Sequence, residues 1–337
     1  MRNVFVFFDG TSCTLATKTN IEEIYSLAKS ASYPCRYHEG IGGFSRTKIR
    51  DFALAPDVEP RAVQAFQVLV DMDLDPEDRL YIFGYSRGAV IARTLAMCLV
   101  SKQHLISAAK VSGFAHTVRA QIEFLCLFDP VVGWPRLFKT RVPNHDAILE
   151  PRIKNYLELL SVDESRLFFP SDSYSASKKT NRKIELSSSL SKAATREGRQ
   201  QSAWALALRK TRKTVWFPGK HGDVGGQSAN PAIGLHALTT SLEELLEISE
   251  TSGAGISFPT EKIQVIKDKL AQLDRLSPSP PAGRMQIMVE KIKRRWGRRM
   301  PPQNKFAQHL AHPLCCDLSP TFYDQASLPD YPPYTRL

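Results

Sequence analysis

The chain has 337 residues, with 45 Lys and Arg against 34 Asp and Glu, a formal net charge of +11, and 42% hydrophobic residues. This balance excludes a disordered chain, a fibrous chain and a disulfide-stapled miniprotein. Six Cys without a Cys-x-x-Cys pair indicate neither a zinc site nor a disulfide framework, and no apolar run approaches the roughly 18 residues of a membrane span.

Val4 to Phe8 is a continuous apolar run broken by Asp9. It is too short for a signal-peptide core and reads as a buried strand whose exit, Asp9-Gly10-Thr11, forms a functional loop. Asn20 is expected to cap a helix from about 21 to 29, with Glu22 and Glu23 in its first turn. A second helix is predicted over 60–72, with Pro60 at its first position and Ala62, Phe66, Leu69 and Val70 as its apolar stripe. Leu80 to Phe83 is the next strand. Gly84-Tyr85-Ser86-Arg87-Gly88 follows at once, and residues 89–100 read as a buried helix. Further strands are predicted over 122–128, ending in Asp129-Pro130, and over 215–217, followed by Pro218-Gly219-Lys220-His221. The stretch 171–202 is rich in Ser, Lys and Arg, and an ordinary solvated loop is favoured there over a lid. Helices over 231–249 and 260–273 precede a rigid Pro-rich linker at 277–281. Strands alternating with helices predict an α/β fold with a doubly wound, mostly parallel sheet. The expected organisation is a catalytic domain over 1–276 containing the polar insertion. A linker, basic helix and tail over 277–337 pack on the same domain.

Gly-x-Ser-x-Gly at 84–88 carries the chemistry. A serine between an apolar strand and an apolar helix sits on a strained turn that needs small neighbours, and the helix N-terminus behind it offers N–H groups to an oxyanion. Among the eight His, His221 is the preferred base, because it follows a strand end within a Gly-rich loop. The preferred acid is Asp129, at the end of the 122–128 strand. The chain order Ser86, Asp129, His221 is that of α/β-hydrolases. Asp223 is the rival acid, expected to shape its loop or bind an ion. The oxyanion hole is expected to use the Arg87 N–H and a second donor from Gly10 or Thr11. Asp9 either accepts hydrogen bonds in its turn or supports the site.

These segments resemble a known family. They are Phe8 to Thr11, Gly40-Ile41-Gly42, Phe83 to Ala89 with Ala92-Arg93, and Phe128 to Val131. Trp216 to Gly219 with His221, Asp223, Val224, Gly225 and Gly226 continues the match, and His312-Pro313 closes it. The resemblance is to the catalytic domain of the class 1 type VI secretion lipase effectors. It implies a phospholipase acting on bacterial glycerophospholipids through Ser86, Asp129 and His221, delivered by a contractile injection machine and countered by immunity proteins. The rival readings are an esterase of soluble esters and a non-catalytic binding protein on a hydrolase scaffold. No cofactor or metal is expected; calcium assistance at Asp223 is an open alternative that no motif indicates.

From Arg284 to Arg299 seven basic residues accompany one acidic residue, and Met285, Met288, Val289, Ile292 and Trp296 share a helical face. Arg284, Lys291, Arg295 and Trp296 suit an anionic membrane surface, although an ordinary helix packed on the core is the favoured reading. Nothing resembling a nucleic-acid-binding motif accompanies the positive charge. With no signal-peptide core, the chain is expected in the cytoplasm of the producing cell, with export by a type VI-like machine.

Overall fold

The computed structural model describes residues 1–40, 58–100, 121–131, 153–161, 212–217, 219–228 and 231–276. The expectations for 171–202, 277–281 and the basic helix over 284–299 lie outside the described residues. So do Ile41-Gly42, Pro218 and His312-Pro313.

Six strands, β1 (Asn3–Phe8), β2 (Cys35–His38), β3 (Arg79–Tyr85), β4 (Gln121–Phe128), β5 (Ile153–Ser161) and β6 (Arg212–Phe217), form one sheet in the order β2-β1-β3-β4-β5-β6. Every neighbouring pair is parallel. The helices are α1 (Asn20–Ser30), α2 (Val58–Asp71), α3 (Arg87–Val100), α4 (His221–Val224), α5 (Pro231–Ser252) and α6 (Thr260–Leu276). The period-2 alternation of each strand splits the core into two layers. Phe5, Phe7, Tyr81, Phe83, Phe124 and Leu157 meet α1, α5 and α6 on one face. Val4, Val6, Phe8, Leu80, Ile82 and Leu125 meet α2 and α3 on the other. Both faces are covered, which is why the strands read as unbroken apolar runs. Each fully buried side chain of this size contributes roughly 1.5 to 3 kcal/mol. This is the expected doubly wound α/β fold with a parallel sheet.

Differences from expectation have local causes. The α1 cap is Thr19, whose side chain accepts from the Glu22 N–H, and Asn20 is the first helical residue. Pro60 sits in the third position of α2, still in the first turn, where a missing N–H costs no helical bond. β2 and β5 are strands that periodicity did not reveal. β2 has only four residues at the sheet edge. In β5, Lys154, Asn155 and Glu158 interrupt the apolar pattern. Lys154 pairs with Glu123 on β4 at 2.9 Å, so a polar position is accommodated inside the sheet.

The strand order places a topological switch between β1 and β3, whose connections leave in opposite directions. In such sheets ligands bind at the carboxyl ends of the strands beside this point. Asp9 and Ser86 stand there, directly after β1 and β3. Among the described residues, no helix is long and apolar enough to cross a membrane.

Candidate active site

Ser86 lies between β3 and α3 with φ of 57°, a left-handed conformation that costs a non-glycine residue about 1 to 3 kcal/mol. The strain is held by the surroundings. The Ser86 N–H donates to Phe128 O at 2.9 Å, and its carbonyl accepts from the Ala89 and Val131 N–H groups at 3.2 Å each. The motif glycines permit the tight approach. A Cβ on Gly84 would lie 2.6 Å from Ala89 Cα, and one on Gly88 would lie 2.3 Å from Phe8 O. α3 therefore begins against the end of β1.

His221 Nε2 is 2.8 Å from Ser86 Oγ, and its Nδ1 is 2.8 Å from Asp129 Oδ2. Asp129 is fully buried, and its Oδ1 also accepts from the Ser161 N–H at 3.1 Å and its Oδ2 from the Ser161 hydroxyl at 2.6 Å. A carboxylate surrounded by donors takes the imidazole Nδ1 proton as its third bond. That leaves Nε2 as an acceptor for the serine hydroxyl. Asp129 has φ of 40°, and its N–H donates to Leu159 O at 2.7 Å. Two adjacent strand ends thus carry strained residues that face one imidazole.

The His221 loop is fastened on three sides. Tyr85, the variable residue inside the serine motif, stacks on the imidazole with ring centroids 4.9 Å apart. Its hydroxyl lies 3.3 Å from His221 O and 3.1 Å from Gln227 Oε1. The ring fits because position 225 is glycine, where a Cβ would stand 2.2 Å from Tyr85 Cζ. Asn20 Nδ2 donates to Val224 O and Gly234 O at 2.9 Å each, and its N–H donates to Gly225 O at 3.0 Å. Asp223 is turned away from the imidazole: its Oδ2 accepts from the Lys220 N–H at 2.6 Å, closing the first turn of α4. Among the described residues, no group of three or more His, Cys, Asp or Glu side chains is placed to hold a metal ion.

Of the oxyanion candidates, Arg87 opens α3 directly after the serine. The Gly10 N–H donates to Asp9 Oδ1 at 2.7 Å, so it is already engaged. No such bond engages the Thr11 N–H among the described residues. The residues that sequence reasoning missed are Ser161, Tyr85 and Asn20. Only Tyr85 had a signal, its place within the serine motif; the other two depend on strand register and loop docking.

The family model described as "T6SS, Phospholipase effector Tle1-like, catalytic domain" matches residues 2–118 and 103–246. The uncharacterized protein YEL023C of Saccharomyces cerevisiae is 32% identical over 115 residues, which are 28% of this chain and 17% of that protein. An uncharacterized protein from Pseudomonas aeruginosa aligns over 90% of this chain and 56% of its own, at 17% identity and a TM-score of 0.45. The Tle1 effector, solved bound to the VgrG spike of the type 6 secretion system, aligns over 67% of this chain and 51% of its own, at 19% identity and a TM-score of 0.39. The chain therefore spans about half the length of these two solved proteins.

Proposed function

The chain belongs to the Tle1-like catalytic-domain family of type VI secretion phospholipase effectors, and on that premise we propose that it is a serine hydrolase cleaving acyl esters of membrane glycerophospholipids. The observation that carries this reading is the His221 imidazole bridging Ser86 Oγ and buried Asp129 at 2.8 Å on each side.

In this reading Ser86 Oγ attacks the acyl carbonyl while His221 Nε2 takes its proton. Asp129 holds the Nδ1–H and stabilises the imidazolium. The Arg87 and Thr11 N–H groups receive the oxyanion. His221 then protonates the leaving alcohol, here a lysophospholipid. Water, deprotonated by His221, attacks the acyl-enzyme and releases the fatty acid. Every proton is carried by one imidazole, so these steps require no cofactor.

The family description supports a lipid substrate, and in the same reading a secretion spike for delivery and an immunity protein for protection are the partners. The less favoured reading of 284–299, a basic amphipathic face, suits the surface of an anionic bilayer. Mass spectrometry of the protein treated with a fluorophosphonate tests the nucleophile, with one adduct expected on Ser86. An unmodified Ser86 in folded protein would refute it. Rates on a short-chain ester beside dispersed phospholipid test the substrate class. Hydrolysis of the short ester alone would replace the phospholipid reading with a soluble esterase.

A further inference from the structure

Asp9 is a buried ionisable group that the proposed reaction leaves without a role. It follows β1 at the switch point and is 2% exposed. Its Oδ1 accepts from the Gly10 N–H at 2.7 Å, and its Oδ2 accepts from the Thr19 and Tyr37 hydroxyls at 2.6 Å each. All three neighbours present donors, so the site fits the acceptor-only carboxylate. Burial pushes the Asp9 carboxyl up, and these hydrogen bonds oppose the shift.

The loop that follows is short and fixed. The Cys13 N–H donates to Gly10 O at 2.9 Å, closing a turn in which Ser12 has φ of 65°. The Gly40 N–H donates to Cys13 O at 2.9 Å, tying the turn to the end of β2. The main chain of Asp9 abuts the first turn of α3, since a Cβ on Gly88 would lie 2.4 Å from Asp9 O. That turn begins at Arg87, the first oxyanion candidate. Within the loop the Gly10 N–H is spent on Asp9, whereas the Thr11 N–H meets no partner among the described residues.

We propose that Asp9 is a positioning residue for the second oxyanion donor: by holding the Gly10 N–H, with Thr19 and Tyr37 holding the carboxylate, it presents the Thr11 N–H to the reacting carbonyl. This rests on the reading of Ser86 as the nucleophile. Asp9 itself does not touch the substrate. Its two hydroxyl partners are the α1 cap Thr19 and Tyr37 of β2, so the loop is braced from the helix cap and from the edge strand together. Thr19 performs both tasks with one oxygen, donating to Asp9 and accepting from the Glu22 N–H at 3.1 Å.

The test measures Ser86 phosphonylation by a fluorophosphonate, in which an Oγ–P bond forms, fluoride leaves and His221 takes the hydroxyl proton. Alongside it, kcat and KM are measured on p-nitrophenyl butyrate for wild type, Asp9→Ala, Asp9→Asn and Tyr37→Phe. Losing an aligned oxyanion donor predicts that Asp9→Ala slows labelling and kcat about a hundredfold with KM within about twofold. Asp9→Asn keeps an acceptor for the Gly10 N–H and is expected to recover to within about tenfold of wild type, while Tyr37→Phe loses about threefold. Wild-type labelling in folded Asp9→Ala, or a change confined to KM, overturns the proposal. If Asp9→Ala does not fold, wild-type labelling rates in both Asp9→Asn and Tyr37→Phe overturn it. A wild-type protein that is not labelled at Ser86 refutes the nucleophile reading instead.

Discussion

The two ends of the parallel sheet treat their buried carboxylates in opposite ways. At the amino ends of the strands, Asp78 accepts from the Arg2 main-chain N–H and its guanidinium, with contacts of 2.6 to 2.9 Å. Glu123 accepts from Lys154 at 2.9 Å and lies 3.8 Å from Arg79. At the carboxyl ends, Asp9 and Asp129 accept from hydroxyls, main-chain N–H groups and one imidazole, with no Lys or Arg ion pair among the described residues. Cations neutralise the first pair of carboxylates outright. Neutral donors orient the second pair and leave the Asp129 charge facing the only group that becomes positive during the proposed reaction. Under the proposed function one end of the sheet serves stability and the other a reaction, and substitutions at the two ends should separate these properties.

The largest effect is expected for Ser86→Ala, which removes the nucleophile and should lower kcat on phospholipid by at least about 10⁴-fold while far-UV circular dichroism stays unchanged. Asp129→Asn should cost about 10⁴-fold, because it changes the favoured imidazole tautomer. Asp223→Asn, at a side chain hydrogen-bonded to the Lys220 N–H, should cost less than about tenfold. The reverse ranking in steady-state rates would transfer the acid role to Asp223.

Asn20→Ala should show the site end failing through stability as well as rate. It leaves the Val224 and Gly234 carbonyls buried without their donor, at a cost of about 1 to 3 kcal/mol in urea unfolding. Activity should fall in parallel as the His221 loop loosens. At the opposite end, Asp78→Asn should lower unfolding stability yet leave kcat within about twofold. Loss of activity at full stability in that variant would break the division between the two ends.

The smallest effect concerns pH, and its sign differs between the ends. Burial pushes the Asp78 carboxyl up, but the Arg2 hydrogen bonds outweigh it and leave it below the usual value. Its stabilisation is present above the ordinary carboxylate range near 3.9 and is lost as pH falls through its own lower value. Arg2 is 43% exposed, which limits the contribution to about 1 kcal/mol or less. Asp9 is raised, so its ionisation costs the folded state at neutral pH, and that cost disappears as pH falls through its value. Urea titrations at pH 7 and at a pH below the usual carboxylate range should show the wild-type advantage over Asp78→Asn shrinking. The balance between wild type and Asp9→Asn should move toward wild type.

The site end was more legible in the sequence than the frame around it, for physical reasons. Ser86, Asp129 and His221 each follow a run of large apolar residues, and a buried parallel strand advertises its own end. β5 hid because Lys154 pairs across to Glu123, so a charged residue lies inside a sheet and breaks the pattern that identifies strands. Ser161 hid with it, since its bond to Asp129 depends on the β4–β5 register that sets Phe128 beside Leu159. Gly10 and Thr11 were indistinguishable as donors in the sequence, because the bond from the Gly10 N–H to the preceding carboxylate depends on the folded turn. Thr19 took the cap expected at Asn20, freeing the Asn20 amide to hold the His221 loop from 204 residues away in sequence.

The central claim is tested most directly by measuring fatty-acid release from anionic phospholipid vesicles with wild type beside Ser86→Ala. The account predicts release by wild type and none above background by the variant. Equal release by both proteins, or none by either, would contradict it.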